Sequence, residues 1–283
     1  MRLATTVFIM TISLMFIAVG THNALSQTVT SHEFGGHTYL IVNEPTTWTN
    51  ASTVAKNSLG YLVIVNSEQE NQFIYTNLLA RGIATTAPDG GGAKYTWLGG
   101  SDAATEGTWL WVNTTNMNSG YTKWGHGAWG NEPDDYPLES PSSQNNLAMG
   151  LEGWPTGFPG GMGNASEWND VSGTNLLAYV IEFDSPTLDT DDDGLTDWEE
   201  FIAATDPTNA TSQLELNITP ATKDNIVISW TGSSACSYNI RTKTNLLNSG
   251  WTSTTNIQGN SSTMTYTNST PQSPAFYMIH VER

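Results

Sequence analysis

Two sets of oxygen-bearing side chains have the types and spacing to hold a metal ion. In the first, Asp189, Asp191, Asp193, Asp197 and Glu200 surround Gly194. They fall on the first, third, fifth, ninth and twelfth positions of a calcium loop, with the glycine at the sixth making the sharp turn and the Leu195 carbonyl at the seventh. A solvated acidic linker is the plainer reading, but acids without a metal to bind seldom fall on all of these positions around a glycine. This spacing predicts Ca2+. Pro186 and the strand before it leave no room for an entering helix, so the motif is half an EF-hand.

The second set is split between Glu132-Pro133-Asp134 and Glu167-Trp168-Asn169-Asp170. Two carboxylates flanking a proline, whose preceding bond can be cis in tight turns, can point at one ion, and a later Asn-Asp pair can complete its shell. Paired acids also suggest glycoside hydrolysis, with Glu132 set against Asp170 or Glu139. Calcium ligation explains the same acids better. His32-Glu33 with His37 misses the HExxH spacing by one residue, and no serine sits in a Gly-x-Ser-x-Gly elbow. No constellation supplies both a nucleophile and a base, so the chain reads as a binding protein and not an enzyme.

Composition bounds the partners. The 283 residues carry a formal charge of -18, which repels nucleic acid and anionic membrane surfaces and suits divalent cations. The single cysteine, Cys236, provides no internal disulfide, zinc site or redox pair. Residues 1–26 read as a signal peptide: Arg2, an apolar stretch from Val7 to Val19, then Ala24-Leu25-Ser26. The chain is therefore expected to be secreted, extracellular or held at a bacterial cell surface, with no membrane span after cleavage.

Several elements must position these acids. Trp48, Ala51, Ala55 and Leu59 share a helical face that Gly60 would cap, Tyr61 to Val65 is a β-branched strand, and Ser67 with Glu70 forms a capping box for a helix to about Leu79. The Gly90-Gly91-Gly92 run lacks a P-loop ending and reads as a flexible loop. Short tryptophan-rich strands are predicted at Thr96 to Gly99 and Thr108 to Val112. Long irregular loops rich in Gly, Pro, Asn and Trp run from Gly120 to Gly163, and a closing strand spans Leu176 to Phe183. Ten acids and no base lie between Glu182 and Asp206, marking 184–211 as an acidic calcium-binding linker. Strands at Ile226 to Trp230, Tyr238 to Thr242, Met264 to Tyr266 and Phe276 to Val281 predict a β-sandwich-like module at 212–283.

The order of helix, strand, capped helix, Trp97-Leu98-Gly99-Gly100, Glu106 to Trp111, Glu132-Pro133-Asp134, Trp168-Asn169-Asp170 and terminal strand resembles the C-type lectin-like domain over residues 33–183. The resemblance implies an α+β fold with two helices, mixed and antiparallel sheets and a long loop region, followed by the small all-β module. In that family Trp97 to Gly100 matches a core signature. The Glu-Pro-Asp and Trp-Asn-Asp motifs match the calcium and sugar site, implying Glu132, Asp134, Asn169 and Asp170 as ligands. Gln144 stands where a glutamate is usual, with Glu139 as its substitute. The 189–200 loop resembles aspartate-rich repeats similar to thrombospondin type 3, and metal binding there would stiffen the junction. The last module is similar to short C-terminal β modules of secreted bacterial proteins.

Three departures accompany the resemblance. Both family disulfides are absent, with Ala55 and Asn146 near cysteine positions. The tripeptide is Glu-Pro-Asp, which offers acceptors but no amide donor beside the metal. Residues 154–163 form an insertion, and Trp124, Trp129, Tyr136 and Trp154 are either sugar-stacking or core residues. The expected function is calcium-dependent binding of glycans or glycoconjugates. The alternative is a calcium-stabilised module that binds protein or acts as an adhesion scaffold.

Overall fold

The computed structural model describes residues 28–136, 144–222, 225–244, 250–268 and 276–283. The expected signal peptide and Glu139 lie outside the described residues. The chain divides into two compact units, one carrying the first eight strands and the other the last six.

The first unit opens with a hairpin, β1 (Val29–Phe34) and β2 (His37–Thr46), turned by Gly35 and Gly36 at φ 62° and 92°. Two successive left-handed residues are what a tight hairpin turn needs, and glycine adopts them at least cost. Helix α1 (Trp48–Asn57) follows, then β3 (Tyr61–Leu62), α2 (Glu68–Arg81), β4 (Tyr95–Ser101), β5 (Leu110–Trp111), β6 (Asn146–Gly150), β7 (Trp168–Val171) and β8 (Leu177–Phe183). The strands form one sheet in the order β1-β2-β8-β4-β6-β7, with β3 beside β8 and β5 beside β4. Among the described strands of this sheet only β4 and β8 pair in parallel.

Helix α1 ends at Ser58, not at Gly60. Leu59 takes the left-handed conformation (φ 60°), and the glycine serves a different need. A Cβ on Gly60 would lie 2.8 Å from the Glu182 carbonyl, so glycine is required for close approach to β8. The expected strand at 61–65 pairs as β only over Tyr61–Leu62; Val63, Ile64 and Val65 are buried but irregular. Ser67 caps α2 by accepting from the Glu70 N–H, and Gly82 closes it at φ 72°. Glu70 returns its carboxylate to the Asn66 N–H, one residue earlier than a capping box would place it.

The core of this unit packs Tyr39, Ile41, Ile74, Leu78, Leu98, Trp111, Met149 and Trp168 among other apolar residues. Gly90-Gly91-Gly92 is packed: a Cβ on Gly90 would come 2.9 Å from both Tyr95 and Val171. Helix α3 (Asp197–Ala203) follows the acidic loop.

In the second unit two three-stranded antiparallel sheets share one buried cluster. Their orders are β13 (Thr263–Asn268), β10 (Asn225–Thr231), β9 (Asn217–Thr222) and β12 (Thr252–Gln258), β11 (Ser237–Lys243), β14 (Phe276–Glu282). Trp230, Tyr238, Ile240, Met264 and Ile279 come together from both sheets, which is how a sandwich buries its inner faces.

A candidate cation site on the long loops

The site starts from Trp168. Its ring is buried and its indole N–H donates to Asn71 on α2 at 2.8 Å, while Asn71 donates to the Ser166 carbonyl at 3.0 Å. These bonds hold β7, so the residues after Trp168 are placed by the core. Asn169 and Asp170 are both buried.

The second strand of ligands arrives on a loop returned against β7. Gly125 donates to the Trp168 carbonyl at 2.8 Å and Glu132 donates back to Gly125 at 2.9 Å. The Glu132-Pro133 bond is cis. Asp134 and Asp135 then donate their backbone N–H groups to the two oxygens of Asp170, at 3.2 and 2.9 Å. Glu132, Asp134 and Asp170 thereby bring carboxylate oxygens within 4.8 Å of one another.

The cluster is short of positive charge and of donors. Glu132 Oε1 accepts from the Trp154 indole at 2.7 Å, but its Oε2 is buried without a hydrogen-bond donor. Burial, reinforced by Asp134 and Asp170, pushes the Glu132 carboxyl far above the usual carboxylate range. Asp170 and Asp134 are also raised, burial being the main cause in each. Three acids that resist ionisation side by side are what a cation-binding cluster looks like before charge compensation. The donor set is all oxygen, and a buried acceptor faces it unmatched, so the residues fit a hard divalent cation such as calcium.

Of the other expected ligands, Gln144 is buried and donates from its backbone to Asp135 at 3.2 Å and from its side chain to the Asp89 carbonyl at 3.0 Å. Its Oε1 has no hydrogen-bond donor. Asn169 spends one amide hydrogen on the Tyr95 hydroxyl at 3.0 Å, and Tyr95 donates to the Gly90 carbonyl at 2.8 Å.

The sequence reading missed one contributor and one buried acid that feels the charge of the same loop. Trp154, in the insertion, is the indole that holds Glu132. A Cβ on Gly125 or Gly150 would come within 2.5 Å of its ring, so glycines at these positions make its slot. Asp102 is also buried, accepts from the Gly107 N–H at 2.8 Å through one oxygen, and leaves the other without a donor. Burial raises it to about 6, with Glu106 and Asp135 adding repulsion. Its signal in the sequence was Glu106 and the Glu-Pro-Asp-Asp run, visible only once the loops are placed together. The four stacking candidates separate by exposure: Trp154 is buried, Trp124 half-buried against Trp109 and Trp168, while Trp129 and Tyr136 are exposed.

In the 189–200 loop Asp189, Asp191 and Asp193 gather their carboxylates within 4.8 Å. Gly194 takes φ 99°, as the sixth position requires. Asp193 accepts from the Leu195 N–H at 2.9 Å. Asp197 is turned onto Thr190, accepting from its N–H and hydroxyl, both at 2.9 Å. Glu200 is fully buried on α3.

Residues 44–149 match the family model described as the Lectin C-type domain. Among curated relatives, C-type lectin domain family 10 member A of Homo sapiens is 30% identical over 98 residues, covering 35% of this chain and 25% of that protein. CD209 antigen-like protein D of Mus musculus is 27% identical over 150 residues, covering 53% of this chain and 48% of its own length. These matches span a quarter to about half of the relatives. The carbohydrate-recognition domain of mouse scavenger receptor C-type lectin aligns with a TM-score of 0.41 at 18% identity, over 56% of this chain and 96% of that one.

Proposed function

Because residues 44–149 form a C-type lectin domain, with the α+β fold of that family, we propose that the chain binds carbohydrate through a calcium ion held by Glu132, Asp134 and Asp170. One observation carries the reading: three carboxylates, two from the Glu132-Pro133-Asp134 turn and one from β7, converge within 4.8 Å, with Glu132 Oε2 buried and unmatched. Gln144 and Asn169 offer further oxygen to the same ion. When bound, calcium supplies open coordination positions that vicinal sugar hydroxyls can fill.

The chain's own residues set the polarity of recognition. The acids accept hydrogen bonds from hydroxyl groups whose lone pairs face the ion. The amides of Asn169 and Gln144 are each partly committed, to Tyr95 and to Asp89. Hydroxyls acting as donors therefore suit the site better than acceptor-rich ligands. The net charge of -18 points to neutral glycans and away from nucleic acid.

We place a second calcium in the Asp189 to Glu200 loop, where it orders the segment and α3. No described helix is long and apolar enough to cross a membrane. The apolar stretch near the start is assigned to export, and the protein acts outside the cell as a binding module, as members of this family generally do, without catalysis.

The test is a glycan array probed with the full mature protein in excess calcium and in excess EDTA, with Asp170→Ala alongside. Signals lost on both EDTA and substitution support the reading. A folded protein with no calcium-dependent signal rejects it and favours a protein-binding scaffold.

A further inference from the structure

We propose that the exposed Trp129–Phe158 pair is a second sugar contact, stacking on the apolar face of a neutral hexose ring adjacent to the one held at the Glu132, Asp134 and Asp170 ion; this rests on the calcium-lectin reading. The two rings lie 5.0 Å apart between centroids, and Trp129 and Phe158 remain 59% and 63% exposed. One exposed aromatic on a surface needs no explanation, but two fixed against each other make a patch.

The patch is built rigidly. Trp129 donates its backbone N–H to Gly161 at 2.7 Å, and a Cβ on Gly161 would lie 3.0 Å from the indole edge, so glycine lets the ring settle on the insertion's backbone. Phe158 donates to the Pro155 carbonyl at 2.9 Å. The insertion that carries Phe158 is the one whose Trp154 holds Glu132. One short segment thus holds a cation ligand through Trp154 and carries half of the aromatic pair through Phe158.

Position and size select the occupant. Trp129 is three residues from Glu132, at most ~10 Å along the chain, which is within reach of a disaccharide. A protein partner needs about 1,200–2,000 Å² of total buried surface, far more than two side chains offer. A hexose ring needs one aromatic face and polar groups at its rim; in the loop that carries Trp129, His126 and Asn131 bond to each other and Asn164 donates to the His126 carbonyl. Neither ring brings a cation to pair with an anionic sugar and the chain's net charge of -18 repels one, so the fitting ligand is a neutral sugar.

The experiment is calorimetry on the mature protein in calcium, with methyl glycosides of mannose, glucose, galactose and N-acetylglucosamine and linear trisaccharides of each. The wild type is expected to bind its preferred trisaccharide about tenfold more tightly than the monosaccharide, the size of one or two aromatic contacts. Trp129→Ala with Phe158→Ala is expected to remove that gain while leaving monosaccharide and calcium affinities unchanged, and Trp129→Tyr to keep most of it. A trisaccharide gain that persists in the double variant, or a change in self-association alone, overturns the shelf while the calcium reading stands. A wild type that binds none of these sugars overturns the shelf, and one that also gives no calcium-dependent signal on the glycan array overturns both.

Discussion

In the proposed cation site Trp154 supports a ligand without being one. Its indole donates to one oxygen of Glu132, whose other oxygen is buried without a donor. Replacing it by phenylalanine keeps most of the ring volume and removes the donor, leaving Glu132 harder to ionise. Trp154→Phe is expected to weaken calcium binding about tenfold, since a hydrogen bond to a charged group contributes roughly 1.5–3 kcal/mol and part of it is recovered by relaxation. Calcium titration calorimetry reads this, and thermal melts in EDTA separate it from a packing loss, which would lower stability with and without the ion. Glu132, Asp134 and Asp170 were legible in the sequence because their types and motif spacing name an oxygen site. Trp154 was not, because an indole donor looks the same as a core tryptophan until its partner is placed.

At the scale of elements, β8 carries a buried acid that no function claims. Glu182 accepts from the Ile64 N–H at 3.0 Å and sits among His37 of β2, Tyr61 of β3, Glu70 of α2 and Asp184, with Tyr39 of β2 also near. His37 Nδ1 approaches it at 2.8 Å, but the ring is poorly aligned for a hydrogen bond. Burial pushes Glu182 up to about 8, with the Glu70 charge adding to it. A carboxyl raised on folding contributes stability that is full below its unfolded value and lost as pH rises toward about 8. Denaturant melts are therefore expected to show stability falling between about pH 5 and 8, and Glu182→Gln to flatten that slope and gain roughly 1–2 kcal/mol at pH 8. A parallel decline in the variant would remove Glu182 as the cause. Periodicity and capping located α1, α2, β4, β8 and β10, all of which bury an apolar face or stripe. They missed β12, whose residues from Thr252 to Gln258 are mostly exposed and polar, as befits an edge strand with no buried face to announce it. They also missed β1 and β2, although Gly35-Gly36 was the turn signal between two β-rich runs.

At the scale of the whole chain the two acid clusters are built separately. Glu132, Asp134 and Asp170 are set by β7 and the long loops, whereas Asp189, Asp191 and Asp193 are set by a local turn at Gly194. No residue belongs to both. If each holds an ion, loss of one leaves the other's contribution intact, each stabilising what it binds by RT ln(1 + [L]/Kd), or about 2.7 kcal/mol at a hundredfold excess over Kd. Asp191→Asn with Asp193→Asn is therefore expected to keep calcium-dependent glycan binding while exposing residues 189–200 to protease even in calcium. Asp170→Ala is expected to do the reverse, losing glycan binding and keeping calcium protection of the segment. Limited proteolysis with mapped cleavage sites, run beside the binding assay, reads both halves. If either variant lost both properties, the clusters would be coupled through the fold, and the calcium loop would have to be counted as part of the sugar-binding machinery.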